Sequence, residues 1–346
     1  MSSKLKVKIG NKYIGGGEPV LIQSMTNTKT HDIEKTVEQI KSLEKCGCEI
    51  VRVTVNDEGA GLAIDKIKDR ISIPLVADIH FDYKMALLAV ERGIDKIRIN
   101  PGNIGDTKKV KKVVTACKER KIPIRIGVNG GSLPKDIVSS YGVTAKGIVE
   151  AAKRQVEILE GLDFHDIVLS LKVSDVEKNI AAYEEAARLF PYPLHLGVTE
   201  AGTGYMGAVK NAIGIGTLLR DNIGDTLRVS LTENVETEIE VAKNILLATK
   251  KRTEWPEIIA CPTCGRTEID IISLTKEITE KTKYINKSIK IAVMGCVVNG
   301  PGEAKDADVG IAGGKGQAVL FKKGEIIRNI KENEIIETLL QEIEKL

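Results

Sequence analysis

Aromatic residues are scarce in this chain, at 3% of 346 positions. That leaves few platforms on which the bases of a single strand can stack. No sign of charge dominates either: 51 Lys and Arg face 48 Asp and Glu, a net of +3. A nucleic-acid binder needs a basic stripe, so no nucleic-acid partner is expected. No apolar run approaches the length of a membrane span, and no membrane partner is expected. The opening segment, MSSKLKVKIGNKYIGGG, lacks an apolar stretch of signal-peptide length, so a cytoplasmic setting is expected. Thiols stay reduced there, and the six cysteines read as metal ligands or small buried residues rather than a disulfide framework. Histidine is rare as well, with four residues at positions 31, 80, 165 and 195.

What the chain does have is 42% hydrophobic residues and 32 glycines, a mix that suits an α/β protein of two domains. Short apolar runs recur at VLIQSM (20–25), EIVRVTV (49–55), IPLVADI (73–79), KIRIN (96–100), IPIRIGV (122–128), DIVLSLKV (166–173), PLHLGV (193–198) and TLRVSL (226–231). Helical periods separate them. Ile33, Val37, Ile40 and Leu43 share one face, and Gly47 stops that helix. Ser174 and Glu177 have the spacing of a capping box, and Thr144 is placed to cap a helix ending at Gly161. Eight strands with helical crossovers predict a TIM (β/α)8 barrel over residues 1–250, with a doubly wound open sheet as the rival. After KKRTEWPEI (250–258), a small α/β domain is expected over 251–346: a strand at EIIA, a helix near 267–281, strands near 289–294, 307–312 and 317–322, and a polar terminal helix.

The strongest chemical pattern is CPTCG at 261–265 followed by MGCVVNGPGE at 294–303. A Cys-x-x-Cys turn offers two thiolates to one soft or borderline metal. Each motif follows a strand, which puts Cys261, Cys264 and Cys296 at neighbouring strand ends. CPTCG is also the knuckle of a zinc ribbon, but a ribbon needs a second pair, and no His lies beyond position 195. Three thiolates suit an iron–sulfur cubane with one distinct iron. Zinc and free thiols remain as alternatives. Glu303 follows a Gly-Pro-Gly turn that can bend the chain back toward the metal, the alternative being a solvated side chain. Cys46, Cys48 and Cys117 read as core cysteines.

Cations sit where a barrel strand should be buried. Arg52, Arg98, Arg125, Lys172 and Arg228 lie among β-branched and apolar residues of five strands. Unpaired charge there is costly. Together they point to an anionic ligand, and Arg suits phosphate oxygens; internal pairing with Asp and Glu is the rival. Polar residues gather at the strands' C-terminal ends, where barrel active sites lie: Gln23, Asn27, Asp78, His80, Asn100, Asn103, Asn129, Thr199, Glu200 and Ser230. Asn27 and Asn103 also fit turn caps, and His80 equally fits a structural role. Glu200, in GVTEAGTG, is the acid candidate. GTGYMG carries only a weak phosphate-loop pattern and is no Walker loop.

CPTCGR, MGCVVNGPGE, INPGN, RIGVNGGSL and GVTEAG, with IQSMTNT at 22–28, resemble the 4-hydroxy-3-methylbut-2-en-1-yl diphosphate synthase family in its bacterial two-domain form. The resemblance spans almost the whole chain. It implies a TIM-type barrel followed by a [4Fe–4S] domain like those of sulfite and nitrite reductases. It implies reductive ring opening and dehydration of 2-C-methyl-D-erythritol 2,4-cyclodiphosphate, with electrons from flavodoxin or ferredoxin. Carried over, Cys261, Cys264, Cys296 and Glu303 ligate the cluster. Arg52, Arg98, Arg125, Lys172, Arg228 and Ser230 hold the diphosphate and its surroundings, Glu200 acts near the reacting carbons, and Asn299 borders the cluster. Asp78, His80, Asn100, Asn129 and Thr199 complete the expected substrate contacts. The family further implies a homodimer in which the cluster domain of one chain closes the barrel of the other. Two rival functions stand beside it: a pterin-binding barrel akin to dihydropteroate synthase with a zinc appendage, and a zinc-ribbon binding module.

Overall fold

The computed structural model describes residues 3–100, 104, 106–297, 302 and 304–346. The chain divides into two compact units, one ending at Arg252 and one running from Thr253 to Leu346.

The first unit opens with an antiparallel hairpin, β1 (Lys6–Ile9) and β2 (Lys12–Gly15). Its Val7, Ile9 and Ile14 pack on Leu21, Ile50, Val76 and Val168, near the N-terminal ends of four barrel strands. The hairpin therefore floors the barrel. It lies outside the eight expected strand segments, because two four-residue strands give too short an alternation to stand out from the flanking lysines.

The barrel strands are β3 (Leu21–Met25), β4 (Ile50–Thr54), β5 (Leu75–Asp78), β6 (Lys96–Ile99), β7 (Ile124–Asn129), β8 (Ile167–Lys172), β9 (His195–Leu196) and β10 (Thr226–Leu227). They pair in parallel in the order β8-β7-β6-β5-β4-β3-β10-β9. A parallel bridge from Leu169 to Leu194 joins the two outer strands, so the sheet closes, and the open doubly wound alternative is ruled out. The last strand is shorter than the run 226–231. Beyond Arg228, whose N–H still donates to the Leu196 carbonyl, side chains take part: Leu231 N–H donates to Glu238 Oε1 at 3.0 Å, and Asn211 Nδ2 donates to the Ser230 carbonyl at 3.2 Å.

The helix Ile33–Cys46 buries Val37, Ile40 and Leu43, with Ile33 half-buried, and ends at Gly47 in the left-handed region, φ 101°. Thr144 caps the helix Ala145–Glu160 by accepting from Gly147 N–H. The Ser174–Glu177 box does not form. Asp175 is the cap instead, its Oδ1 accepting from Lys178 N–H at 3.0 Å. A carboxylate one residue closer to the helix meets the positive helix end with full charge.

The second unit is a five-stranded sheet in sequence order: β11 (Glu257–Ala260), β12 (Lys290–Met294), β13 (Val309–Gly314), β14 (Gln317–Lys322) and β15 (Glu325–Lys331). The first three are parallel and the last three antiparallel. Helices Ile271–Thr282 and Ile335–Glu344 share its core of Ile278, Ile291, Ile311, Leu320 and Leu339. The terminal helix is thus amphipathic rather than simply polar. β15 is an addition to the expected strands: its first five residues are exposed and show no alternation. Among the described residues no helix is long and apolar enough to cross a membrane.

Candidate active site

Strand register assembles the barrel mouth. Asp78, Arg98 and Arg125 are successive partners across β5, β6 and β7, and Asn129 pairs with Lys172 across β7 and β8. Laterally paired residues point to one side of a sheet. Asp78 is gripped from two directions, by Arg98 Nη1 at 3.0 Å and Arg52 Nε at 3.6 Å. Arg52 also points Nε and Nη2 at Met25 Sδ, at 3.2 and 3.0 Å, and Arg228 reaches the same sulfur at 3.8 Å.

A second carboxylate comes from a helix. Glu238, in Val235–Ala248, is buried and lies 3.4 Å from Arg228 Nη2. It also accepts from Ser24 Oγ at 3.3 Å. A sixth cation, Lys96, is fully buried and reaches Gln23 Oε1 at 3.4 Å. Lys172 Nζ lies 3.4 Å from Nε2 of the fully buried His195, whose Nδ1 meets Thr226 Oγ1 at 2.8 Å.

The rival of internal pairing accounts for half of these cations. Asp78 pairs Arg52 and Arg98, and Glu238 pairs Arg228. Among the described residues, Lys96, Arg125 and Lys172 have no carboxylate partner. Arg125 Nε and Nη1, Arg228 Nε and Gln23 Nε2 are buried without an acceptor. Two unit charges 4 Å apart interact by about 4 kcal/mol at an effective dielectric of about 20. The mouth is therefore strained toward accepting negative charge.

The titrations report the same imbalance. Burial, then neighbouring cations, push Lys96, Arg125 and Lys172 well below their ordinary values. Burial brings Arg52 down to about 10. Burial alone would raise Asp78, but Arg52 and then Arg98 outweigh it and hold the carboxyl below its usual range.

Two glycines make room for these side chains. A Cβ at Gly127 would lie 2.4 Å from Arg98 Nε, and one at Gly197 would lie 2.3 Å from Lys172 Nζ. Both positions are legible only once the register is known.

The remaining expected residues spread around the rim. His80 is exposed just past β5, two residues beyond Asp78. Asn100 follows β6, Asn129 ends β7, and both are half-buried. Thr199 is half-buried and Glu200 exposed, after β9. Glu200 holds φ at 52°, a left-handed conformation rare for a residue with a Cβ and a local cost of the kind that collects at functional sites. Ser230 is half-buried past β10. Asn27 exchanges hydrogen bonds with the Gln39 side chain, its N–H donating to Oε1 and its Oδ1 accepting from Nε2. Asn103, Asn299 and Glu303 lie outside the described residues.

Lys96, Glu238, His195 and Met25 join the site without having been expected there. Lys96 has a signal in the sequence, since it stands two residues before Arg98 on one strand and shares its face. Glu238 has none, being one acid among several in an exposed-looking helical pattern.

In the second unit, β11 and β12 are adjacent and parallel, so Cys261 and Cys296 leave the same sheet edge. Gly295 N–H donates to Cys261 Sγ at 3.1 Å. Cys264 is exposed, and a backbone hydrogen bond at Arg266 lowers its thiol below the usual value. Its own N–H donates to Thr267 Oγ1, while Glu268 N–H donates to the Gly295 carbonyl, docking the CPTCG turn beside β12. Among the described residues no three Cys, His, Asp or Glu side chains already close on one metal position. The donor chemistry nonetheless fits a thiophilic centre: soft ligands, an N–H donor to sulfur and a lowered thiol. Cys48 and Cys117 are buried in the barrel unit with thiols pushed up to about 12, and Cys46 is half-buried.

Two family models match the chain, the GcpE TIM-barrel domain over residues 4–243 and the GcpE protein C-terminal domain over residues 257–345. The 4-hydroxy-3-methylbut-2-en-1-yl diphosphate synthase (flavodoxin) of Caldanaerobacter subterraneus subsp. tengcongensis is 59% identical over 342 residues, 99% of this chain and 96% of its own. The protein of the same description from Clostridium perfringens is 58% identical over 342 residues, 99% of this chain and 98% of its own. Among solved structures, dihydropteroate synthase from Stenotrophomonas maltophilia superposes with a TM-score of 0.52 at 13% identity, over 71% of this chain and 98% of its own. The Yersinia pestis dihydropteroate synthase gives 0.51 at 11% identity, over 72% of this chain and all of its own. At such identity the likeness is one of fold alone, and it carries no pterin chemistry to this chain.

Proposed function

The chain belongs to the GcpE family, and from that premise we propose that it converts 2-C-methyl-D-erythritol 2,4-cyclodiphosphate to (E)-4-hydroxy-3-methylbut-2-en-1-yl diphosphate in the non-mevalonate isoprenoid pathway. It is an oxidoreductase that takes its electrons from flavodoxin, as its relatives' description states, with ferredoxin as a second donor of the same kind. One observation carries the substrate assignment: six cations line the barrel mouth against two carboxylates, and buried guanidinium N–H groups have no acceptor. A cyclic diphosphate supplies the missing charge.

Arg52, Arg98, Arg125, Lys172 and Arg228 hold the diphosphate oxygens, with Ser230 at their edge. Asp78 keeps Arg52 and Arg98 in place, and His80, Asn100, Asn129 and Thr199 line the rim around the carbon skeleton. Glu200 donates a proton from its carboxyl to the hydroxyl that leaves as water. Cys261, Cys264 and Cys296, with Glu303, would hold a [4Fe–4S] cluster, which when bound supplies electrons one at a time. Asn299 borders that centre. The assembly is a homodimer in which the cluster unit of one copy serves the barrel of the other, and its setting is the cytoplasm.

The test is preparation without oxygen, followed by turnover of the cyclic diphosphate with reduced flavodoxin and analysis of iron, sulfide and zinc. Product formation with about four irons and four sulfides per chain is expected. Stoichiometric zinc without sulfide would overturn the reading.

A further inference from the structure

His195 has no place in the chemistry above, yet it is fully buried at the foot of the cationic mouth. Its Nε2 is 3.4 Å from Lys172 Nζ and its Nδ1 is 2.8 Å from Thr226 Oγ1. An ammonium has only donors, so Nε2 must accept. The ring proton then sits on Nδ1 and points at Thr226 Oγ1. The ring is also pinned by its backbone: Tyr183 Oη donates to the His195 carbonyl at 2.6 Å and accepts from Leu171 N–H at 3.1 Å, tying β8 and β9 together at this level. Lys172 Nζ occupies the space that a Cβ at Gly197 would take. The ammonium thus threads between a glycine and a ring of fixed tautomer.

We propose that His195 is a positioning residue for Lys172: held as an Nδ1–H tautomer by Thr226, it gives the ammonium an uncharged acceptor and aims it at the bound diphosphate. This inference rests on Lys172 being a diphosphate ligand. Lys172 is otherwise faced by Arg125 from β7, by Arg52 from β4, by Arg228 past β10 and, on the favourable side, by Glu238 from its helix. His195 faces Lys172, Arg125, Lys96 and Arg52, and burial together with these cations keeps the ring uncharged. A neutral acceptor stabilises an ammonium here without adding charge of either sign to the mouth.

The experiment uses the holoenzyme, with turnover of the cyclic diphosphate and calorimetric binding of inorganic pyrophosphate as readouts. Lys172→Met is the reference and should weaken both. His195→Leu should raise KM and the pyrophosphate Kd about tenfold, the range of one lost hydrogen bond to a charged group, while kcat changes less than about twofold. Loss of the acceptor disfavours the ammonium, so the alkaline fall of kcat/KM should move to lower pH. His195→Gln, which restores an acceptor, should return both toward the original. Thr226→Val, which leaves the ring packed but frees its tautomer, should shift the same quantities in the same direction by a smaller factor, and it carries the test if His195→Leu does not fold. Unchanged KM and alkaline limb in folded His195→Leu or Thr226→Val would overturn the proposal, as would His195→Gln no better than His195→Leu. If Lys172→Met itself leaves pyrophosphate binding intact, the diphosphate assignment of Lys172 fails first and this inference fails with it.

Discussion

In the barrel unit the charged side chains stand on strand backbone, whereas in the second unit the thiols stand on turns just past the strands. Asp78, Arg98 and Arg125 are fixed on three neighbouring strands by two ladders, and each is at most 9% exposed. Cys264 is exposed and is tied down by short-range bonds to Thr267. Strands impose a lateral spacing that no ligand is needed to hold. Turns impose much less, so a centre bound to them contributes to their order as well as to their chemistry. The two halves of the proposed reaction, gripping an anion and delivering electrons, are thus built to different standards of rigidity. Each can be broken without the other.

The largest break is Cys296→Ser. Turnover should be abolished and iron content should fall, while calorimetric binding of pyrophosphate stays within about twofold, because the cations that grip the anion all stand on the barrel unit and share no partner with Cys296. A parallel loss of pyrophosphate binding would show that the mouth depends on the thiol centre, and the contrast between the units would collapse. Next comes Glu200→Gln. Iron and sulfide should be unchanged and kcat should fall about a hundredfold or more, the usual share of a general acid. Full activity in this variant would remove Glu200 from the mechanism.

The same contrast explains which features are legible in the amino-acid sequence. All eight barrel strands are, because each lies in a short apolar run that strand burial demands. Cations inside such runs are conspicuous for the same reason, and five of them meet at one end of the barrel. Lys96 escapes notice because its own run, KIRIN, already holds Arg98, and only strand alternation puts both on one face. Glu238 and His195 escape for a different reason. Their partners, Ser24 for Glu238 and Thr226 and Lys172 for His195, lie 214, 31 and 23 residues away, and local pattern carries no such information. Asp175 displaces the expected cap because two acceptors compete for one helix end. In the second unit the cysteine spacing is legible, but the bonds that dock its turn, such as Gly295 N–H to Cys261 Sγ, are not.

Gly127 and Gly197 sharpen the comparison within the barrel itself. In Gly127→Ala the three atoms nearest the new Cβ all belong to the Arg98 side chain, at 2.4 to 3.0 Å. The guanidinium can swing away, so Tm should hold while KM rises roughly tenfold, as for one lost charge-assisted bond. In Gly197→Ala the Cβ also falls 2.7 Å from the Arg228 carbonyl, which is backbone. That variant should lose stability as well. Equal Tm values for the two would contradict the view that the mouth is framed by backbone on one side and by mobile side chain on the other.

Acid separates the units by the smallest effect. His195 is buried and held neutral, well below its ordinary 6.5, by burial and then by Lys172. Below pH 6.5 the unfolded ring takes up a proton that the folded ring refuses, so acidification favours unfolding of the barrel, by up to about 1.4 kcal/mol per pH unit. In the second unit, Lys322 and then Lys345 draw the Glu342 carboxyl from 4.5 down to about 2. The sign is the same but the window lies lower: that stabilisation is complete above 4.5 and disappears as pH falls toward 2. Between pH 7 and pH 5, therefore, the Tm advantage of the native chain over His195→Gln should shrink by a few degrees, while its advantage over Glu342→Gln should stay constant. Between pH 4.5 and pH 3 the second difference should begin to close. Scanning calorimetry of the three proteins at these pH values decides it. An unchanged His195→Gln difference between pH 7 and 5 would mean that His195 carries no buried neutral ring, and that the barrel's charge network is more open to water than its strand geometry requires.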